Sequence, residues 1–201
     1  MSVHRHPDNH NLTVYSNEAV WQGHPVLPNQ SGFVIEYLTR IQQTLDRALA
    51  EYKRLSVMRF DLRFPQNLPC RDDQAISRFV EALKAKIRAD QHRKGTQGKR
   101  VYPCNLRYVW VKEQAGSEAC HYHVAIVLNH DAYFTLGNYT AAPCTADPDM
   151  PVDHRYEPPE NMAERIISAW AGALGLSIEH TVGQVHFPDN PVYSMNRNAE
   201  A

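Results

Sequence analysis

His121 and His123 are separated by a single residue, and this spacing is the feature of the 201-residue sequence that most directly predicts a chemical function. They lie in residues 120–129, an apolar run of the length of a strand. Because residues two apart on a strand point to the same face, both imidazoles project together, while Tyr122 and Val124 face the core. Neutral imidazoles held side by side can bind a divalent cation.

A carboxylate from the preceding strand can complete this pair. Residues 106–113 alternate in the manner of a strand, and the turn-like segment 114–118 predicts an antiparallel hairpin with the histidine strand. Glu113 then lies across the hairpin, where it can reach a cation held by His121 and His123. Mn²⁺ or Mg²⁺ is favoured over zinc, because the set lacks a thiolate. The alternative is that the two histidines only occupy the polar face of a sheet.

Further helices and strands must position this hairpin. Helical spacing predicts a helix through residue 54, a second one opening at Asp72 and Asp73, and a third from Pro159 to Gly175. Strands are predicted at residues 55–64 and 181–187. This order indicates an α+β fold, with helices packed on a central antiparallel sheet. We expect an irregular N-terminal arm over residues 1–30 and a single domain over residues 31–201. The expected buried stripe of the second helix is Ile76, Phe79, Val80, Leu83 and Ile87.

Composition narrows the class of protein. The hydrophobic share of 43% and charged share of 21% are ordinary for a globular protein. No apolar run approaches the roughly 20 residues of a membrane helix, and the amino terminus lacks a secretory pattern. We therefore expect a cytoplasmic protein without a membrane partner. The four cysteines are far apart in the sequence, which argues against a zinc ribbon and predicts reduced thiols.

A net charge of −1 conceals a strong asymmetry along the chain. Residues 51–112 hold 15 Lys and Arg against 6 Asp and Glu, whereas residues 113–201 hold 3 against 12. Such a basic half suits a polyanion, although solvated helix faces can also carry these charges. We expect residues 93–100 to form a flexible basic loop that lies, with the basic face of the second helix, near the histidines. The candidate DNA-binding residues are Lys84, Lys86, Arg88, Arg93, Lys94, Lys99 and Arg100.

Three stretches of the sequence carry a family resemblance. RYVWVKEQ, HYHVAIVLN and VHFPDNPVYSMNRN resemble the YagK/YfjJ family of prophage proteins, related to replication proteins of filamentous phages. Within them, His121-Tyr122-His123 resembles the metal motif of HUH endonucleases, the rolling-circle replication and relaxase class. The resemblance implies an HUH (Rep)-like fold, with Glu113, His121 and His123 as metal ligands and single-stranded or hairpin DNA as partner. It also implies a tyrosine that attacks the scissile phosphate, leaving a 5′-phosphotyrosyl link and a free 3′-hydroxyl.

The nucleophile is where the match to the HUH class fails. The resemblance leads us to expect a tyrosine on a helix beyond VHFPDNPVY, followed three residues later by a lysine, yet no lysine follows Lys112. The domain over residues 31–201 is thus expected to lack this helix. Tyr193 is the candidate catalytic residue by position, but its proline-bounded polar segment is more typical of a packing residue. Tyr139 and Tyr156 fall in predicted loops.

The sequence thus predicts a mobile-element DNA-binding protein of the HUH replication-initiator class. It nicks single-stranded DNA if it is catalytically complete, or it is a shortened, inactive form. Two alternatives stay open. One is a non-catalytic DNA-binding regulator that reuses the fold. The other is a protein-binding factor of a mobile element, contacting its partner through the acidic C-terminal half.

Overall fold

The computed structural model describes residues 2–16, 19–27, 32–65, 72, 74–115, 119–138, 161–181 and 183–197. The chain divides into two compact units, Met1–Arg47 and Ala48–Ala201. The strands are β1 (Ser2–Arg5), β2 (Thr13–Ser16), β3 (Val20–Trp21), β4 (His24–Pro25), β5 (Phe33–Val34), β6 (Arg54–Arg63), β7 (Arg107–Ala115), β8 (Ala119–Asn129), β9 (Val185–His186) and β10 (Val192–Asn196). The helices are α1 (Ile35–Glu51), α2 (Ala75–Thr96) and α3 (Met162–Leu174), with a 3-10 turn at Glu179–Thr181. Among these helices, none has the length and apolar character needed to span a bilayer.

The first unit contains two small antiparallel sheets. Strands β1, β2 and β5 form one of them, and β3 pairs with β4 in the other. The prediction of an irregular arm over residues 1–30 is therefore wrong for its paired segments. Thr13-Val14-Tyr15-Ser16 carries β-branched and aromatic residues that favour a strand. Val14 and Tyr15 are buried, and this burial stabilises a strand too short to stand out by its pattern.

The second unit is built on a five-stranded sheet that carries the histidine hairpin. The strand order is β10-β6-β8-β7. Strand β9 pairs with the same edge of β6 as β10 does, but at the opposite end of β6. Every pairing is antiparallel, which confirms the α+β class. Strand β8 lies in the interior of the sheet, whereas β7 forms an edge among the described strands. The hairpin itself is confirmed, with Arg107 opposite Val127 at one end.

Helices α2 and α3 cover one face of this sheet. Phe79 of α2 lies 6.0 Å from Phe60 of β6, and Trp170 of α3 lies 6.3 Å from Tyr122 of β8, between ring centroids. This face holds the core, in which the predicted stripe of α2 is buried throughout. Alternation along the strands places the odd-numbered residues of β8, including His123, on the opposite face.

Both long helices of the second unit differ from the prediction at their ends, and α2 begins at Ala75 rather than at Asp72 and Asp73. Helix α2 continues to Thr96, so the loop predicted over residues 93–100 is wrong for its first half. Arg93 and Lys94 bind the carboxylate of Asp90 one turn earlier, at 2.8 and 2.7 Å, and such pairs stabilise a last helical turn. Gly98, at φ 68°, follows the end of the helix.

Helix α3 begins at Met162, later than the predicted start at Pro159, which lies outside the described residues. Its cap is Asn161, whose side chain accepts from the backbone N–H of Glu164 while the Glu164 carboxylate reaches back. This capping box satisfies two otherwise unpaired donors. The helix ends at Gly175 in the left-handed region, at φ 69°, which confirms the predicted end.

The C-terminal part of the chain contains two short strands where one was predicted. Residues 181–187 were expected to form a strand, but only Val185–His186 do so, after the 3-10 turn. Val192–Asn196, in the proline-bounded polar segment around Tyr193, pairs with Arg54–Met58 of β6. These segments are too short to show a period, and their pairing with β6 is what makes them strands.

The described cysteines differ in state. Cys104 is free and buried, as expected. Cys120 is disulfide-bonded, so the prediction of a reduced thiol is wrong there.

Candidate metal centre

The register of three strands places five polar side chains on one face. The hairpin pairs Glu113 with His121, and β6 pairs Asp61 with His123 and Arg63 with His121. Directly opposed residues of an antiparallel pair share a face. These groups therefore gather on the side of the sheet away from α2 and α3.

Three of these side chains converge on one point. Glu113 Oε2 lies 2.6 Å from His123 Nε2 and 3.4 Å from His121 Nε2, and the two Nε2 atoms are 3.2 Å apart. A cation about 2.1 Å from each atom, a typical length for such ligands, would sit about 1.1 Å above their plane. The angles between ligands at the cation would then run from about 76° to about 108°. That arrangement occupies one side of a cation and fits a divalent ion with open positions.

The open side of this cluster faces solvent. The side chains of Glu113 and His123 are 51% and 45% exposed, and that of His121 is 22% exposed. A ligand can therefore reach the point of convergence without displacing protein. The structure brings together the three residues proposed from the sequence, whereas metal binding itself stays a prediction.

Asp61 orients one of the two histidines. Its Oδ1 accepts a hydrogen bond of 2.7 Å from His123 Nδ1, and its Oδ2 lies 3.3 Å from His186 Nδ1. Metal-binding histidines usually donate their other ring N–H to such a group, which fixes the ring and its tautomer. The contact thus turns His123 Nε2 toward Glu113 and His121.

The same contacts determine the protonation of the cluster. Partial burial would lower the pKa of His123, but hydrogen bonds with Glu113 and Asp61 outweigh burial and raise it. The hydrogen bond with His123 lowers the pKa of Glu113. Asp61 behaves similarly: burial opposes the shift, yet His123 and then His186 lower its pKa. Without a cation, His123 is therefore favoured in its charged form between two carboxylates, and a cation would replace its Nε2 proton.

Asp61 and His186 were not recognised from the sequence. Asp61 was visible only as a polar residue in the alternation of β6, and that pattern does not reveal which strand lies beside it. His186 lies on a two-residue strand opposite Asp61. The sequence did contain one signal. Arg59, Asp61 and Arg63 are alternate residues of β6, and alternate residues share one face of a strand.

A cleft of about 550 Å³ adjoins the cluster at His121. Arg63, Phe64 and Gln184 also line it. The structure places Arg63 directly opposite His121, on the same face of the sheet.

Tyr193 lies on the same face as the cluster but at a distance from it. It pairs with Val57, four residues along β6 from Asp61, which corresponds to about 13 Å at the usual rise of a strand. Its side chain is 50% exposed. The structure does not bring Tyr193 to the converging ligands, and Tyr139 and Tyr156 lie outside the described residues.

The predicted basic groove beside the histidines is wrong in its geometry, because α2 covers the other face of the sheet. Lys84 Nζ lies 2.8 Å from Glu81 Oε1, and Arg93 and Lys94 bind Asp90. Arg100 stacks on the ring of Tyr102. Arg88 and Lys99 are exposed. A role of the seven basic residues in DNA binding stays a prediction, at a surface separate from the histidine cluster.

The fold and the cluster define an α+β protein with carboxylates and imidazoles gathered on an open sheet face. The chain belongs to the YagK/YfjJ C-terminal domain family, whose sequence model matches residues 16–201. It is 35% identical over 175 residues to "Uncharacterized protein YagK" of Escherichia coli (strain K12), covering 83% of this chain and 76% of that protein. It is 34% identical over 177 residues to "Uncharacterized protein YfjJ" of the same strain, covering 82% and 76%. No solved structure matches the chain.

Proposed function

We propose that this chain is a divalent-metal-dependent protein of the HUH replication-initiator class that binds single-stranded DNA of a mobile element. The observation that carries the proposal is the convergence of Glu113, His121 and His123 on the open face of the sheet. The orienting contact from Asp61 adds to it, because such contacts accompany histidines that bind metals.

The composition of the cluster favours Mn²⁺ or Mg²⁺ with a phosphate as the further ligand. One carboxylate and two imidazoles supply no thiolate, and open positions suit hard phosphate oxygens. Arg59 and Arg63 lie on the same face as the cluster. Both are exposed and neither has a carboxylate partner among the described residues. Exposed arginines beside a cation site attract a phosphate backbone.

In the HUH class, a tyrosine hydroxyl attacks the scissile phosphorus and displaces the 3′-oxygen. Glu113, His121 and His123 would hold the cation, which would supply Lewis-acid polarisation of the phosphate. This chain would hold the phosphate beside Glu113, His121 and His123. The separation of about 13 Å between Tyr193 and Asp61 along β6 favours a second candidate function, a DNA-binding regulator that does not nick.

Isothermal calorimetry with Mn²⁺ tests the metal site. The wild type should release heat with saturable binding, and His121→Ala combined with His123→Ala should abolish it. His92→Ala is the matched control, because His92 is an exposed histidine on α2, across the sheet from the cluster. Equal heats for the wild type and the double variant would refute the proposed site.

A cleavage assay separates the two candidate functions. Labelled single-stranded DNA is incubated with the wild type and Mn²⁺, and the protein is then resolved under denaturing conditions. A strand break with DNA covalently attached to the protein supports the nicking enzyme. Binding of DNA without cleavage supports the regulator, and absence of any binding at low salt would refute both.

A further inference from the structure

The cleft beside His121 is built from the ends of two strands and a turn. Arg63 ends β6, and Gly183 and Gln184 form the turn before β9. Gly183 adopts φ 78°, a conformation that favours glycine. His121 is shared between the cleft and the converging ligands, so a molecule in the cleft lies next to the proposed cation.

The walls of the cleft are held in place by backbone and ring contacts. The backbone N–H of Arg63 donates to the Gln184 carbonyl at 2.7 Å, and the Arg63 carbonyl accepts from Trp170 Nε1 at 2.9 Å. Phe64 packs edge-on against Trp170, with ring centroids 5.3 Å apart. The cleft therefore exists before any ligand arrives, which lowers the entropic cost of binding.

The chemistry of the cleft matches one unit of a nucleic acid strand. Arg63 supplies a guanidinium with no carboxylate partner among the described residues, and none of the described lining residues is acidic. A guanidinium binds a phosphate in a bidentate manner. Phe64 and Gln184 add an aromatic surface and an amide, which suit the π-face and the polar edge of a base.

We propose that this cleft binds the nucleotide of single-stranded DNA adjacent to the phosphate at the metal centre, with Arg63 as its phosphate-binding residue. This inference rests on the proposed function, because it assigns a subsite of the same DNA-binding surface. It also sets the path of the strand, which leaves the metal centre along Arg63 and the turn that carries Gln184.

Fluorescence anisotropy with labelled oligothymidylate, in Mn²⁺ and over a range of salt, tests the subsite. Arg63→Gln should weaken binding about tenfold and reduce the salt slope by about 0.7, the value for one lost phosphate contact on a single strand. Lys53→Gln removes the same charge from an exposed side chain at the opposite end of β6, and it should change affinity less than about twofold. Arg63→Lys should retain the salt slope but bind more weakly than the wild type, since lysine keeps the charge without the planar fork.

Three outcomes would overturn the proposal. Equal losses in Arg63→Gln and Lys53→Gln would mean that only overall charge matters. Wild-type affinity in Arg63→Gln, with DNA binding otherwise intact, would remove the subsite and leave the proposed function standing. If the wild type itself does not bind the oligonucleotide at low salt, both the function and the subsite fail. Circular dichroism verifies folding of each variant, and Arg63→Lys decides the matter if Arg63→Gln does not fold.

Discussion

Substitution of Asp61 tests whether the proposed metal site depends on a residue outside its three ligands. Asp61 does not belong to the converging ligands, yet it binds His123 Nδ1 at 2.7 Å. Asp61→Ala removes both the hydrogen-bond acceptor and the negative charge. Asp61→Asn removes the charge but keeps an oxygen that can accept from the ring. The pair of variants therefore separates orientation from electrostatics.

The expected magnitude follows from this geometry. The Asp61 carboxylate would lie about 6.5 Å from the cation, across the His123 ring, where Coulomb attraction at a partly exposed site is worth about 1–2 kcal/mol after salt screening. Asp61→Asn should thus weaken Mn²⁺ binding about tenfold. Asp61→Ala also frees the ring, and loss of such an orienting partner typically costs about 10–100-fold in metal affinity. We expect it to lie near the upper end of this range.

Calorimetry with Mn²⁺ at about pH 8 is the appropriate assay. Asp61 helps to raise the pKa of His123, so its loss also weakens the competition between a proton and the cation. This compensation shrinks as the pH rises, so pH 8 is preferred to a pH near the ordinary histidine pKa of about 6.5. If both variants bind Mn²⁺ as the wild type does, while His121→Ala with His123→Ala binds none, the orienting role of Asp61 is refuted.

Three further predictions concern stability and the tyrosine. Burial alone would raise the pKa of Asp90, but its hydrogen-bond donors lower it to about 2, so its stabilising effect is complete above the unfolded value near 4 and is lost as the pH falls toward 2. Asp90→Asn leaves the buried Arg165 without its counter-charge. The free energy of unfolding in urea should fall by about 3 kcal/mol at pH 7 and by less at pH 3. An equal loss at both pH values would contradict this reasoning. Gly137→Ala should cost about 2 kcal/mol or more in the same measurement, because Gly137 has φ 85° and a Cβ there would lie 2.7 Å from Asn161 Cγ; an unchanged midpoint would show that the loop adjusts freely. Tyr193→Phe should leave oligothymidylate affinity and any Mn²⁺-dependent cleavage unchanged, and loss of cleavage would instead identify Tyr193 as the nucleophile.

Much of the second unit could be predicted from the sequence because its long elements have clear periods. The alternation around β6 and the helical spacing of Phe79 and Leu83 in α2 both reflect burial on one face. The hairpin of β7 and β8 was visible because a turn-like segment separates two apolar strands. These patterns are local, and local patterns are what a single sequence reveals.

The rest depended on contacts between distant parts of the chain. Asp61 reaches His123 only through the register of β6 with β8, and His186 joins them through a two-residue strand. Helix α2 packs on the face of the sheet opposite the histidines and so separates Lys84 and its neighbours from them. The number of charged residues along the sequence does not show on which face a helix packs. The continuation of α2 through Gly95 depended on the buried carboxylate of Asp90, a tertiary feature that overrides the weak helix propensity of glycine.

The three converging ligands all come from one hairpin and span only residues 113–123. Closing so short a segment costs little chain entropy, so an unfolded or partly folded chain can retain some affinity for the cation. Mn²⁺ bound at the proposed site would then raise the melting temperature by less than its affinity for the native protein implies, because binding to the unfolded state subtracts from the stabilisation. Asp61 lies more than fifty residues earlier in the sequence, so only the folded state brings it to His123. The hairpin would supply the three ligand atoms, and the contact with Asp61, which forms only on folding, would make the cation bind the native chain more tightly than the unfolded one.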